Sequence, residues 1–210
     1  GGPGWNQSDK YAPGVALAVS YILRPKPDDI GRVTMLGAVA VAELCEHLSV
    51  NGVGIKWPND VQINGRKVCG ILPEAAWENQ RLIGVVLGMG VNIRVKFDDT
   101  LAQTAINLED AIGQPLDRAE AAAYLIERLK HWASQLGSDA LLRAWRDRLT
   151  TVGQTVCVEG IEGVVESVDD EGALMLKTPQ GDLHRFIAGD VLPLAPDENS
   201  HTTTSLTKDT

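Results

Sequence analysis

Positive charge is scarce in this chain: nineteen Lys and Arg stand against twenty-eight Asp and Glu, a formal net charge of −9 over 210 residues. That balance is opposite to the footprint of a duplex-binding surface, so a nucleic-acid function is not supported. A single basic pocket for a nucleotide phosphate is still compatible with it, since net charge says little about one cleft. Long apolar runs are missing too. No uncharged stretch approaches the ~20 residues of a spanning helix. Gly1-Gly2-Pro3-Gly4-Trp5 lacks the basic, apolar, small-residue order of a secretory leader, so a cytoplasmic location away from membranes is expected. Cysteine is sparse: Cys45, Cys69 and Cys157 lie far apart with no CxxC spacing, which points to neither a disulfide framework nor a zinc site. His47, His131, His184 and His201 have no ligand spacing either.

What is present is an ordinary globular composition, 44% hydrophobic and 22% charged, long enough for one full domain and a small appendage. Residues 15–23, closed by Arg24-Pro25-Lys26-Pro27, read as a buried strand with a breaker behind it. Val33, Leu36, Gly37, Ala40, Val41, Leu44, Cys45 and Leu48 recur at helical spacing, and Asn51-Gly52 is the expected stop. Two extended runs around Lys56-Trp57-Pro58 and Asp60–Ile63 precede Asn64-Gly65, a strong hairpin signal, and then a third at 66–72. Residues 82–91, with Gly84, Gly88 and Gly90, read as a central strand. Helices are expected over 116–136 and 140–149, with Trp132 and Trp145 on their apolar faces. From Thr151 onward short Val- and Leu-rich pieces alternate with Gly160, Gly163, Gly172, Gly181 and Gly189, the punctuation of a small β-barrel. The division expected is a core at 1–150, a minor domain at 151–195 and a disordered Thr/Ser-rich tail at 196–210.

Three stretches are candidates for chemistry. Lys56-Trp57-Pro58-Asn59-Asp60 sets a cation, a proline and a carboxylate between two strands, an interruption where a ligand is able to reach the backbone. On composition alone, an ordinary turn at Asn59-Asp60 is the better reading. Lys67 lies across the hairpin from 56–60, so cation and acid are able to converge on a polyanion; a solvated hairpin lysine is the bland alternative. Gly88-Met89-Gly90-Val91-Asn92 puts two glycines on one side of a strand, leaving room for a flat ligand or for another backbone.

Together, KWPND, then GRKVCGILPE, then GMGVN resemble the central signature of the biotin protein ligase family in content, order and spacing. The resemblance covers about residues 15–150, and 151–195 is similar to the family's SH3-like C-terminal domain. It implies an α+β fold: a mixed, mostly antiparallel sheet flanked by helices, of the class II synthetase or biotinyl/lipoyl ligase kind, plus a small SH3-like β-barrel. The implied activity joins biotin and ATP into biotinyl-5′-adenylate, then acylates a lysine of a carboxylase's biotin carboxyl carrier domain. The implied cofactors and substrates are ATP, biotin and Mg²⁺. Lys67 is the implied catalytic cation, aimed at charge developing on the phosphoryl oxygens. Lys67, Gly70, Leu72 and Gly88 would take biotin, and Lys56, Asn59, Asp60, Gly90 and Asn92 the adenylate, with Asp60 as a magnesium ligand. Glu74 also matches the family pattern. Dimerisation through an exposed sheet edge is a further expectation.

The start departs from the family. Where the family carries a Gly/Arg-rich loop of the form GRGRxGRxW, residues 1–14 read GGPGWNQSDKYAPG, with no arginine. An incomplete start or an altered loop is expected, which weakens retention of the adenylate. The alternatives are therefore a catalytically incomplete remnant that binds ligand or carrier, and a lipoate-type ligase, against which KWPND argues. A biotin-responsive repressor would need a helix-turn-helix, and this sequence carries no DNA-binding domain.

Overall fold

The apolar run after Pro13-Gly14 forms strand β1 (Ala16–Leu23), which leads through a single 3-10 turn into helix α1 (Ile30–His47). The computed structural model describes residues 15–194. The expected loop region at 1–14 and the expected disordered tail lie outside the described residues. After α1 the chain turns at Ser49, with φ of 60°, two residues before the anticipated Asn-Gly stop. β2 (Val53–Lys56) and β3 (Asp60–Ile63) flank Trp57-Pro58-Asn59, whose Trp57–Pro58 peptide is cis. Asn64 and Gly65 both take positive φ, as a two-residue hairpin requires, and open β4 (Arg66–Glu78). Asn79 and Gln80 repeat the device before β5 (Arg81–Asn92), so this hairpin runs out further than its apolar segments predict.

The strand order is β1-β5-β4-β3-β2, and all four pairings are antiparallel. Parallel contact is confined to isolated bridges, Ile55 with Leu149 and Lys67 with Ala105. Period-two alternation divides the sheet into two faces. Leu17, Val61, Ile71, Val85, Leu87, Met89 and Val91 face inward and are buried. Against them lies α1, in which every residue from Met35 to Ala42 is buried. Gly37 permits that approach, because a Cβ there would sit 3.0 Å from Ile71 Cγ2 and 3.1 Å from Leu87 Cδ2. The outer side of α1 is covered by α3 (Arg118–Ala133) and α4 (Asp139–Arg146). Glu43 on α1 accepts from Arg128 Nε at 2.6 Å and Trp132 Nε1 at 3.0 Å, tying α3 down. Side chains of Asn107, Asp117 and Ser138 cap α2 (Leu108–Ile112), α3 and α4, each accepting from backbone N–H groups of the first turn. Trp132 and Trp145 are buried as their helical spacing predicts. Among the described residues no helix is long and apolar enough to cross a membrane.

Beyond residue 150 the expectation of a small SH3-like barrel is overturned. β6 (Thr155–Val158), β7 (Ile161–Val168), β8 (Leu174–Lys177), β9 (Leu183–Phe186) and β10 (Val191–Pro193) form an open antiparallel sheet in the order β10-β6-β7-β8-β9. The glycine punctuation does mark hairpins, with Glu159 and Gly160 at positive φ between β6 and β7. Closure is a separate requirement: the first and last strands in the order must pair at a matching tilt and stagger. Here those strands are four and three residues long, and they remain the two edges. Their sheet is sealed by packing instead. Val156, Val158, Val165, Leu174, Leu176 and Val191 belong to the same buried cluster as α1 and the first sheet.

Candidate active site

The outward face of the first sheet is floored with small residues. Ala18, Gly90, Gly70, Asp60 and Lys56 are successive register partners across β1, β5, β4, β3 and β2, so they form one row on a single face. One step along the strands, Ser20, Gly88 and Leu72 form the next row. Above Gly90 there is open space out to 4 Å, and Leu72 and Ile22 stand on this face 59% and 68% exposed. The result is a flat, backbone-accessible floor with apolar walls. That shape suits a planar, partly apolar ligand.

One end of this floor carries charge. Lys67 and Gly70 are three residues apart on β4, and strict alternation would put them on opposite faces. A β-bulge intervenes: Gly70 pairs with Asp60 and Cys69 with Val61, but Lys67 pairs with Gln62, leaving Val68 as the extra residue. Val68 and Cys69 are in consequence both buried, and Lys67 returns to the outer face. Its chain lies over Gly70, where a Cβ would come within 3.1 Å of Lys67 Cε and Nζ. Lys67 Nζ reaches Asp60 Oδ1 at 2.6 Å. The lysine backbone is equally fixed. Its N–H donates to Thr104 O at 2.7 Å, and its carbonyl accepts from Ile106 N at 3.0 Å and from Asn92 Nδ2 at 3.4 Å.

The other predicted site residues divide into two groups. Gly70, Leu72, Gly88 and Gly90 line the floor, with Lys67, Asp60 and Lys56 at its charged end. Asn59 and Asn92 spend their amide N–H groups on the frame: Asn59 Nδ2 donates to Ile71 O at 2.9 Å, and Asn92 Nδ2 also reaches Ile106 O at 3.2 Å. Glu74 stands exposed further along β4. Sequence reasoning missed the cations beyond Asn92. Arg94 and Lys96, together with Arg66, Phe97, Glu109 and Asp110, border a cleft of about 590 Å³ next to the Lys67 backbone. Arg94 is paired with Glu109 at 2.8 Å. The available signal was the R-x-K that directly follows GMGVNI.

Among the described residues the site offers charge and shape, and no cysteine thiolate. Burial pushes the Cys45 thiol up to about 12 and the Cys69 thiol, beneath Gly70, higher still, so neither supplies a thiolate. Nor does the donor set fit a resident metal. Asp60 is the one carboxylate among the nine predicted residues, its Oδ1 is held by Lys67, and no three His, Cys, Asp or Glu side chains converge among the described residues.

Residues 11–92, which contain the floor and its charged end, match the Biotin/lipoate A/B protein ligase family. The chain is 31% identical over 181 residues to the bifunctional ligase/repressor BirA of Bacillus subtilis, covering 80% of this chain and 55% of that protein. It is 29% identical over 181 residues to the biotin–[acetyl-CoA-carboxylase] ligase of Paracoccus denitrificans, covering 79% of this chain and 75% of that one. The chain thus spans about half the length of the first of these relatives. In fold it is similar to the apo biotin protein ligase of Aquifex aeolicus, with a TM-score of 0.76 at 20% identity over 86% of this chain and 83% of that one.

Proposed function

We propose, on the premise that this chain belongs to the biotin/lipoate A/B protein ligase family, that it carries the adenylate-forming and transferring core of a biotin–protein ligase. The observation that carries the reading is the Lys67–Asp60 pair standing at the end of a floor of Gly70, Gly88 and Gly90, with Lys67 over Gly70. In the first step the biotin carboxylate attacks the α-phosphorus of ATP; the bond to the bridging oxygen breaks and pyrophosphate leaves. Carboxylate and phosphate repel each other, and a preorganised ammonium is the group that offsets this as charge grows on the phosphoryl oxygens. Lys67 is that group, held in place by Asp60 and by a backbone fixed on both sides. Gly70, Gly88 and Leu72 receive the biotin bicycle, while Gly90, Asn92 and Lys56 border the adenylate. Asn59 contributes by bracing β4, and Asp60 by orienting Lys67.

In the second step a lysine amine of the carrier domain attacks the acyl carbon of the mixed anhydride, the C–O bond to phosphate breaks and AMP leaves. The anhydride is already activated, so approach and alignment supply the rate, and no enzyme nucleophile is required. With Asp60 Oδ1 already paired with Lys67, any Mg²⁺ would be held by the nucleotide phosphates.

Calorimetry of biotin binding with and without MgATP, followed by mass spectrometry for biotinyl-adenylate and for label on an added carrier domain, tests this reading. Adenylate and labelled carrier support it. A folded chain that neither binds biotin nor forms adenylate refutes it and favours the remnant reading.

A further inference from the structure

Trp57 sits in the middle of KWPND, yet its side chain turns away from the outer face and is 2% exposed. Its indole Nε1 donates to Gly172 O, in the turn between β7 and β8, at 2.9 Å. Its backbone N–H donates to Thr151 Oγ1, also at 2.9 Å. Thr151 is itself 1% exposed, one of two polar side chains in the buried set. The contact continues upstream. Ile55 N–H donates to Arg148 O at 2.7 Å, and Thr150 N–H to Ile55 O at 2.9 Å, so residues 148–150 meet β2 in a single parallel bridge centred on Leu149. Gly54 makes the room, since a Cβ there would collide with the Thr150 methyl.

The far side of this contact is equally close. The Met35 methyl and the Trp145 ring meet over Gly172, whose φ of +85° and lack of a side chain let the turn enter. Arg146 donates to Val168 O at 3.0 Å and pairs with Asp170 at 2.9 Å. A cleft of about 670 Å³ runs between this turn, Trp57, Pro58 and the start of α1. The 56–60 segment therefore has two supports: β4, which pairs Gly70 with Asp60 and holds Asn59 through Ile71, and the chain that joins the two sheets beneath Trp57.

We infer that Thr151 and Trp57 are positioning residues for the charged end of the site, through which the second sheet sets the placement of Lys56 and Asp60 without touching ligand. The inference rests on the adenylate-forming reading above. A buried N–H that loses its acceptor is costly, whereas the 56–60 loop is able to shift and re-satisfy it against water in the adjoining cleft. Loss of the Thr151 hydroxyl should then displace the loop rather than unfold the protein.

The test uses the full chain and three variants, Thr151→Val, Thr151→Ser and Trp57→Phe. The readouts are biotin-dependent exchange of labelled pyrophosphate into ATP, amide hydrogen exchange resolved over 53–63, and thermal melting. Thr151→Val should raise the KM for ATP about tenfold, the size of one lost buried hydrogen bond, with the KM for biotin within about twofold. It should also speed exchange at 56–60 selectively. Thr151→Ser should restore both, and Trp57→Phe should reproduce the local exchange. Wild-type KM and wild-type exchange in Thr151→Val overturn the inference, as does exchange raised uniformly across the core, which marks a purely structural role. If the parent chain itself incorporates no pyrophosphate, the ligase reading fails, and the amide exchange still decides whether Thr151 positions the loop.

Discussion

Lys67 Nζ lies 2.6 Å from Asp60 Oδ1, and the contact exists because Val68 is an extra residue in β4 that turns Lys67 onto the outer face. The pair is more than a third exposed at the lysine, so its contribution to stability is small. Its value lies in aiming one ammonium over Gly70. Lys67→Ala should therefore leave the melting temperature nearly unchanged and reduce adenylate formation by roughly 10²-fold or more, the scale of a lost electrostatic stabiliser. Asp60→Asn should fall between the two, because the lysine remains but loses its anchor. Pyrophosphate exchange beside a thermal melt checks both.

The hairpins were legible because they are local: Asn64-Gly65 has to take two positive φ angles, and few dipeptides do so cheaply. The helices α1, α3 and α4 were legible from their spacing, whereas α2, at five residues, is too short to show a period. The face occupied by Lys67 was not legible, since nothing in Arg66–Gly70 announces that one residue will be skipped by the ladder. The barrel expected after residue 150 failed for a related reason. Spacing of Gly160, Gly172 and Gly181 specifies turns, but it does not say that β10 will leave its sequence neighbour β9 and pair back with β6, Val191 opposite Val158. Trp57 illustrates the same limit, as its neighbours in the fold, Thr151 and Gly172, lie far along the chain.

Gly90 and Gly37 separate open space from packing space. A Cβ on Gly90 meets nothing within 4 Å, and its position mid-strand tolerates a branched side chain. Gly90→Val should keep or slightly raise the melting temperature while weakening biotin or nucleotide binding at least about tenfold, as one misplaced wall does in a close-fitting site. Gly37→Ala should do the reverse: it presses on Ile71 and Leu87 and costs about 1–3 kcal/mol of stability by overpacking. Calorimetric titration and denaturant unfolding of the two variants give opposite patterns if the outer face is the ligand side.

Cys45 and Cys69 are buried and Cys157 is only half-buried on β6. With burial raising the first two thiols, a disulfide reagent at pH 8 should modify at most one of the three in the native chain, with all three reacting after guanidinium unfolding. Biotin-dependent pyrophosphate exchange, where the proposed function holds, should survive the native modification, because Cys157 lies in the second sheet away from the floor.

Asp169 gives the second sheet an acid-sensitive turn. Burial raises its carboxyl, but the Arg185 guanidinium at 2.6 Å and the N–H groups of Ala173 and Glu171 outweigh that and hold it below its ordinary value. A carboxyl lowered in the folded state contributes stability that is complete above its unfolded value and is lost as pH falls through the folded one. Asp169→Asn should therefore cost about 1 kcal/mol at neutral pH, with the side chain partly solvated. The gap between wild type and variant should stay constant from pH 7 to about 5 and close below about 4, where the wild-type carboxylate takes up its proton. Denaturant unfolding at a series of pH values measures this gap directly. Because Asp169 sits three residues before Gly172, the carbonyl that holds the Trp57 indole, the same acidification should loosen the turn under KWPND. Amide exchange at 56–60 should then rise in parallel with the closing gap, and a gap that closes with no change at 56–60 would show that the turn and the loop are uncoupled.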